Sequence, residues 1–111
     1  MPKTYYVYLL ASQRHVLYVG MTSNIEHRTF RHKTHVFGGF TAQYNVTNLV
    51  YFERYGEALK AIRREKEIKS WRRAKKIALI ESENPTWRDL SYGWYQRHQF
   101  QPERKVSTDQ D

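Results

Sequence analysis

Two short runs of strand-forming residues near the N-terminus constrain the fold more than any other feature of the sequence. The runs cover residues 4–10 and 16–21, are rich in Tyr, Val and Leu, and are separated by a short polar segment. Aromatic and β-branched residues favour strands, so the pattern predicts a β-hairpin. A loop centred on Gln13 would pair Tyr8 directly with Tyr18, and directly paired residues project from the same face of a sheet. We therefore expect the two phenols to lie side by side, either as a functional pair or as ordinary aromatic core residues.

The segment after this hairpin predicts a helix over residues 24–35. Ser23 stands where a capping box would begin, and Asn24 offers an alternative cap. Arg28 and His32 lie four residues apart and therefore share one face of the helix. Because the helix follows the second strand directly, we expect that face to point across the sheet edge towards the second phenol.

The rest of the chain completes a small α+β domain. Residues 36–48 are interpreted as a loop with a Gly-Gly pair, and residues 49–55 as a third strand. Helices are predicted over residues 56–71 and 74–83, and the aromatic-rich segment 87–95 is expected to pack back on the body. Strands followed by helices that pack on them give the α+β class, with a small, mainly antiparallel three-stranded sheet flanked by helices.

Glu65 interrupts the apolar stripe of the first of these two later helices. The other stripe positions are Ala58, Ala61, Ile62 and Ile68. Their i, i+3, i+4, i+7 spacing places side chains on one helix face, and Glu65 completes the pattern. A carboxylate on a buried stripe is costly unless it is paired or binds a cation. Glu65 is therefore either a cation ligand or half of an ion pair with a neighbouring arginine.

Length and composition limit the class of protein. At 111 residues the chain is expected to form one domain over residues 1–100, followed by a disordered tail over residues 101–111. The absence of cysteine excludes a thiol nucleophile, a disulfide framework and a Cys-ligated zinc site. The N-terminal residues resemble neither a secretory leader nor a membrane span, so we expect a cytoplasmic protein.

The charge balance predicts an acidic partner. The net charge is +8 and the sequence pI is near 9.8. Residues 1–100 carry 17 basic and 8 acidic side chains, a net of +9, so the excess lies on the predicted domain. Nucleic acid is the commonest acidic partner of a soluble basic domain, although basic charge can also serve solubility alone.

The triplets Tyr6-Val7-Tyr8 and Tyr18-Val19-Gly20 resemble the signature of the GIY-YIG nuclease family, in which they correspond to Gly-Ile-Tyr and Tyr-Ile-Gly. The resemblance covers residues 4–90, and the short chain resembles the small stand-alone bacterial members, which are related to the N-terminal nuclease domain of the excision-repair incision subunit. It implies the GIY-YIG fold and a metal-dependent endonuclease that hydrolyses phosphodiester bonds in DNA, in the setting of repair or processing of branched or damaged strands. The alternative is a nucleic-acid-binding module that cuts weakly or not at all.

The resemblance also implies an active site. Tyr8 and Tyr18 match the family's two tyrosines, which would orient or deprotonate water. His32 matches a position that is histidine in some members and tyrosine in others, and it would assist the phenols. Arg28 matches the arginine that meets the phosphate, and Glu65 matches the glutamate that would hold a single Mg²⁺ or Mn²⁺ ion.

Two positions depart from the family's pattern. Tyr6 stands where the family name has glycine, a difference that we expect to be structural only. Met21 stands where the excision-repair incision subunit has a lysine. A mechanism in which that ammonium lowers the pKa of a tyrosine therefore has no counterpart at this position.

Three cations are expected to contact nucleic acid: Arg31 and Lys33 on the first helix, and Lys69 in the cationic run over residues 63–76. A solvated basic face is the alternative. DNA is expected rather than RNA, although the sequence does not separate the two, and no membrane contact is expected. Because the small members have no separate DNA-binding domain attached, we expect substrate choice to come either from the surface of the catalytic domain itself or from a protein partner for targeting. The oligomeric state stays open.

Overall fold

A three-stranded antiparallel sheet forms the centre of the molecule. The computed structural model describes residues 3–35 and 39–95. The strands are β1 (Tyr5–Ala11), β2 (Leu17–Thr22) and β3 (Asn48–Tyr55), in the spatial order β2-β1-β3. Both neighbouring pairs are antiparallel, so the predicted α+β class with a small antiparallel sheet is confirmed. The order leaves β2 at one edge of the sheet.

Four helices accompany the sheet. They are α1 (Ile25–Lys33), α2 (Gly39–Gln43), α3 (Ala58–Lys69) and α4 (Arg73–Glu83). Among these described helices, none is long and apolar enough to cross a bilayer. The tail that we expected to be disordered, residues 101–111, lies outside the described residues.

The register of the β1–β2 hairpin differs from the prediction by two residues. Tyr8 is paired with Gly20, and Tyr18 is paired with Leu10. The predicted direct pairing of the two phenols through a loop centred on Gln13 is therefore wrong. A shift of two preserves the face to which each side chain points, so both phenols still project from the same face.

The hairpin loop explains this register. The main-chain N–H of Ser12 donates to the carbonyl of Val16 at 3.0 Å, which centres the loop on Arg14. The Ser12 hydroxyl accepts hydrogen bonds from the backbone N–H groups of Arg14 and Val16 at 3.1 and 3.0 Å. His15 has φ +65, the left-handed residue that closes a three-residue hairpin loop.

The helices lie on both faces of the sheet, and each face has its own apolar cluster. On the face covered by α3 and α4, the buried residues are Val7, Leu9, Ala11, Val19, Val50, Tyr51, Ala61, Ile68 and Ile80. On the face covered by α1, they are Tyr8, Leu10, Ile25, Val46 and Leu49. Tyr8 and α1 therefore share one face, whereas α3 packs on the other.

Helix α2 corrects the expectation that residues 36–48 form a loop. Five residues are too few to show a helical period, and Gly39 enters the helix with φ +67, which glycine adopts without strain. The carbonyl of Thr41 accepts a hydrogen bond from the N–H of Val46 at 2.9 Å, and the Thr41 side chain is buried. The buried contact of Thr41 with His32, described below, explains the helix better than the helix propensity of its five residues does.

Asp89 joins three parts of the fold. One carboxylate oxygen pairs with Lys33 of α1 at 2.5 Å, and the other accepts from the N–H of Leu49 at 3.2 Å and from the Ser91 hydroxyl at 2.7 Å. Lys33 also donates to the carbonyl of Thr47 at 2.9 Å. These bonds attach the segment after α4 to both α1 and β3.

The Asp89 cluster predicts a pH-dependent contribution to stability. Burial raises the pKa of Asp89, but the hydrogen bonds from Lys33 and Ser91 lower it by more than burial raises it. The pKa of Asp89 therefore lies below its ordinary value. A lowered pKa in the folded state stabilises the fold above the ordinary pKa of the group, and this contribution is lost as pH falls through the folded value. We expect Asp89→Asn to lower the free energy of unfolding by about 1–3 kcal/mol at neutral pH. In urea titrations the gap between parent and variant should close in strong acid, and a gap that is independent of pH would contradict this role.

Candidate active site

Three rings from β1, β2 and α1 meet on one face of the sheet. The centroids of Tyr8 and Tyr18 are 6.3 Å apart, and that of His32 lies 6.1 Å from the first and 5.3 Å from the second. The Tyr8 hydroxyl lies 3.2 Å from Nε2 of His32, within hydrogen-bonding distance. Tyr8 and His32 are buried, whereas Tyr18, on the edge strand, keeps some exposed surface. This group of three side chains is called the ring cluster below.

Gly20 makes room for the ring cluster. A Cβ atom at this position would lie 2.5 Å from the Tyr8 hydroxyl oxygen and 3.0 Å from a ring carbon of Tyr18. The Tyr8 side chain has no free space to retreat into, since it is fully buried. The glycine of the second triplet is therefore required by the close approach of the Tyr8 phenol to the β2 backbone.

We expect Gly20→Ala to push the Tyr8 hydroxyl away from His32 and to lower the free energy of unfolding by about 1–3 kcal/mol. Gly56→Ala is the matched control, because a Cβ at Gly56 meets no atom within 4 Å. Urea unfolding of both variants checks this expectation. Equal stabilities would show that the ring cluster tolerates a side chain at position 20.

Thr41 completes the hydrogen bonding of His32. Its hydroxyl oxygen lies 3.3 Å from Nδ1 of the imidazole, and both residues are buried. In one tautomer Nδ1–H donates to Thr41 and Nε2 accepts from Tyr8, and in the other both directions are reversed. Either way His32 is held between the two hydroxyls. Sequence reasoning missed Thr41, and the available signal was the need of a buried histidine for a second partner.

Arg28 lies one turn before His32 on the same face of α1 and is partly buried. The cap sets where this face starts. The side-chain oxygen of Asn24 accepts from the N–H of His27 at 3.1 Å, so Asn24, rather than Ser23, caps α1. Both Arg28 and His32 therefore lie within α1 and share one face of it, as their spacing predicted.

Glu65 lies across the sheet from the ring cluster. It sits between Ala61 and Ile68 on the stripe of α3 that faces the sheet, as the spacing predicted, and its side chain is 19% exposed. Its carboxylate pairs with Lys69 at 2.8 Å rather than with an arginine. The Lys69 side chain is 54% exposed, and such i, i+4 pairs contribute only about 0.3–0.5 kcal/mol. This ion pair can therefore open at little cost.

A second polar cluster fixes α3 on the sheet. The Glu53 carboxylate of β3 accepts from the Tyr55 hydroxyl at 2.6 Å and from two nitrogens of Arg64 at 2.8 and 2.9 Å. It also accepts from the Tyr51 hydroxyl. Burial and the neighbouring Glu53 raise the pKa of Tyr55 to about 12. Because Arg64 directly precedes Glu65, these bonds set the rotation of α3 and hence the direction of the Glu65 side chain.

Glu65 offers limited ligation for a metal ion. Among residues 3–35 and 39–95, no three His, Cys, Asp or Glu side chains are grouped so that they could hold a metal ion together. Mg²⁺ is often bound through one or two carboxylates, with water and substrate phosphate filling the other positions. A single carboxylate such as Glu65 fits that form of binding once Lys69 is released. It does not fit a site built from protein ligands alone.

The three expected nucleic-acid contacts have different surroundings. Lys33 is 19% exposed and is held by Asp89 and the carbonyl of Thr47, and its contact with nucleic acid stays a prediction. Lys69 pairs with Glu65 but stays half-exposed. Arg31 is partly buried on α1.

Comparison with known proteins agrees with this architecture. Residues 4–78 match the family described as the GIY-YIG catalytic domain. The chain therefore belongs to the GIY-YIG family.

Within that family its relatives are small UPF0213 proteins. A UPF0213 protein of Natronomonas pharaonis is 37% identical over 83 residues, which cover 75% of this chain and 98% of the relative. One of Staphylococcus haemolyticus is 35% identical over 77 residues, 69% of this chain and 94% of the relative. The solution NMR structure of a UPF0213 protein from Bacillus halodurans matches with a TM-score of 0.52 at 23% identity, over 81% of this chain and 97% of the other. That structure supports the fold.

Proposed function

We propose that this protein is a metal-dependent endonuclease that hydrolyses phosphodiester bonds in DNA, with branched or damaged strands as substrates. Membership of the GIY-YIG family supports a nuclease. The observation that carries the proposal is the buried hydrogen bond between Tyr8 and His32, with Tyr18 beside it. A phenol ionises near pH ~10 in water, so it needs a neighbouring base to act near neutrality, and an imidazole is such a base.

The exposure of the three rings suggests how they divide the work. Tyr18 keeps exposed surface on the edge strand, so it contacts the attacking water and the phosphate. Tyr8 and His32 lie behind it: the Tyr8 hydroxyl takes the proton that water gives up and passes its own proton to Nε2 of His32, in the tautomer in which that nitrogen accepts. Thr41 holds the imidazole in place throughout. Burial of the Tyr8–His32 pair protects this hydrogen bond from competition with solvent.

Arg28 and Glu65 supply charge in this proposal. The guanidinium of Arg28 stays protonated at any working pH and neutralises the charge that develops on the phosphate. Glu65 would hold the Mg²⁺ or Mn²⁺ ion, which when bound stabilises negative charge on the phosphate and the leaving oxygen. Because β2 is the edge strand, the face of the ring cluster and the face of α3 meet at its edge. A phosphate that crosses this edge has access to both sides.

A specific observation favours a second candidate, a nucleic-acid-binding module that cuts weakly or not at all. Lys69 already occupies the Glu65 carboxylate, and α3 packs on the face opposite the ring cluster. An assay of single-stranded, duplex, nicked and forked DNA with Mg²⁺, Mn²⁺ or chelator separates the two. Cleavage that depends on the metal supports the nuclease, and binding without cleavage of any substrate supports the module.

We expect Glu65→Gln to abolish metal-dependent cleavage and to leave salt-sensitive DNA binding nearly unchanged, because the amide keeps the shape of the side chain and loses the charge that binds the cation. The control is Glu57→Gln, which removes an exposed carboxylate directly before the same helix. Cleavage rates and binding isotherms are compared for the parent and both variants. Equal nicking by Glu65→Gln and the parent would remove Glu65 from the mechanism.

A further inference from the structure

An open cationic cleft lies between the β1–β2 hairpin loop and the start of α4. Its volume is about 470 Å³, and its lining residues are Arg14, His15, Val16, Leu17, Arg73 and Lys76. We call it the hairpin–α4 cleft. The hairpin contributes one cation and α4 contributes two, so positive charge faces the cleft from both walls.

The cations of the hairpin–α4 cleft are available for a ligand. Within the described part of the chain, no carboxylate forms an ion pair with Arg14, Arg73 or Lys76, whereas Lys33 and Lys69 are both paired. Arg14 and Arg73 are exposed, and Lys76 is partly exposed. The nearby sequence Arg-Arg-Ala-Lys-Lys, residues 72–76, contains no acidic residue that would neutralise this charge. Uncompensated cations on an open surface favour a polyanion.

The lining suits a phosphate backbone better than it suits bases. His15 contributes the one aromatic ring of the cleft, and it is stacked on Trp87 with centroids 3.7 Å apart. Proteins that bind single strands present open aromatic faces for stacking, and this ring is already covered on one side. Long, flexible cationic side chains without open aromatic rings beside them are typical of sequence-independent contacts to duplex phosphates.

The position of the cleft relates it to the ring cluster. Leu17 lines the cleft, and the next residue of β2, Tyr18, belongs to the ring cluster on the other face. Both sites therefore lie along the same edge of the sheet. We propose that the hairpin–α4 cleft binds the phosphate backbone of duplex nucleic acid beside the site of cleavage. The role beside a cleavage site rests on the proposed function, but the cleft can bind duplex whether or not the protein cuts it.

The test is the salt dependence of duplex binding for Arg73→Ala/Lys76→Ala. Each lost phosphate contact should reduce the slope of log K against log salt by about 0.9, so the double variant should lose about 2 units of slope and bind about tenfold more weakly at moderate salt. Binding is measured in chelator, where metal-dependent cleavage is silent, on a duplex and on a single strand of the same length. Alanine is the best helix former, so both substitutions suit an exposed helix.

The matched control is Lys3→Ala/Lys60→Ala, which removes the same charge from exposed positions. Lys3 precedes β1, and Lys60 lies in the first turn of α3, directly after β3, so both are at the end of the sheet opposite the hairpin loop. We expect the control to bind within about twofold of the parent. Should the α4 variant fail to fold, Arg14→Ala tests the other wall, with about 1 unit of slope lost.

The outcomes separate this inference from the proposed function. If the parent protein cuts DNA and the α4 variant binds duplex as tightly as the parent, the cleft is not a duplex-binding site, and the proposed nuclease activity is unaffected. If the parent protein cuts no substrate and duplex binding is weakened only in the α4 variant, the proposed nuclease activity is wrong and the proposed binding role of the cleft is supported. Equal losses in the α4 variant and the control would show that net charge alone matters. A loss confined to the single strand would overturn the duplex assignment.

Discussion

The placement of one phenol determines the geometry of the candidate site. The Tyr8 side chain lies against the backbone of Gly20, too close for any Cβ, and its hydroxyl lies 3.2 Å from His32. This contact links β1 to β2 and to α1, and through the hydroxyl of Thr41 it also links α2. Because the elements meet at one buried polar point, the register of the hairpin and the position of α1 depend on each other. Buried polar groups of this kind specify a single arrangement when each is satisfied.

Local pattern predicted every described element except α2, and it predicted the shared face of the phenols, but not the hairpin register. The Tyr, Val and Leu content of β1 and β2 indicated strands, and alternation fixed which side chains share a face. The register depends on the Ser12 hydroxyl, which bonds two backbone N–H groups and moves the centre of the loop by one residue. Moving the centre by one shifts the pairing by two. For that reason Tyr8 and Tyr18 still share a face although they are not directly paired.

Contacts between distant residues account for most of what sequence reasoning missed. The sequence predicted Lys33 as a cation available to nucleic acid, because its partner Asp89 lies 56 positions further along the chain. Tyr51, Glu53 and Tyr55 alternate along β3 and join through the Glu53 carboxylate, but the cation that pairs with Glu53, Arg64, comes from another element. Periodicity within α3 did place Glu65 on the sheet-facing stripe correctly. It could not show that α3 covers the face opposite the phenols.

The account depends on the Tyr8 hydroxyl acting in the reaction rather than only filling the core. The most direct test is the single-turnover cleavage rate of Tyr8→Phe, which removes one oxygen and keeps the ring. Tyr6→Phe is the matched control, since Tyr6 lies on the same strand and packs against Phe52. The account predicts that Tyr8→Phe cuts about 100-fold more slowly or worse with unchanged duplex affinity, while Tyr6→Phe stays within about twofold of the parent. Cleavage by Tyr8→Phe at the parent rate would contradict it.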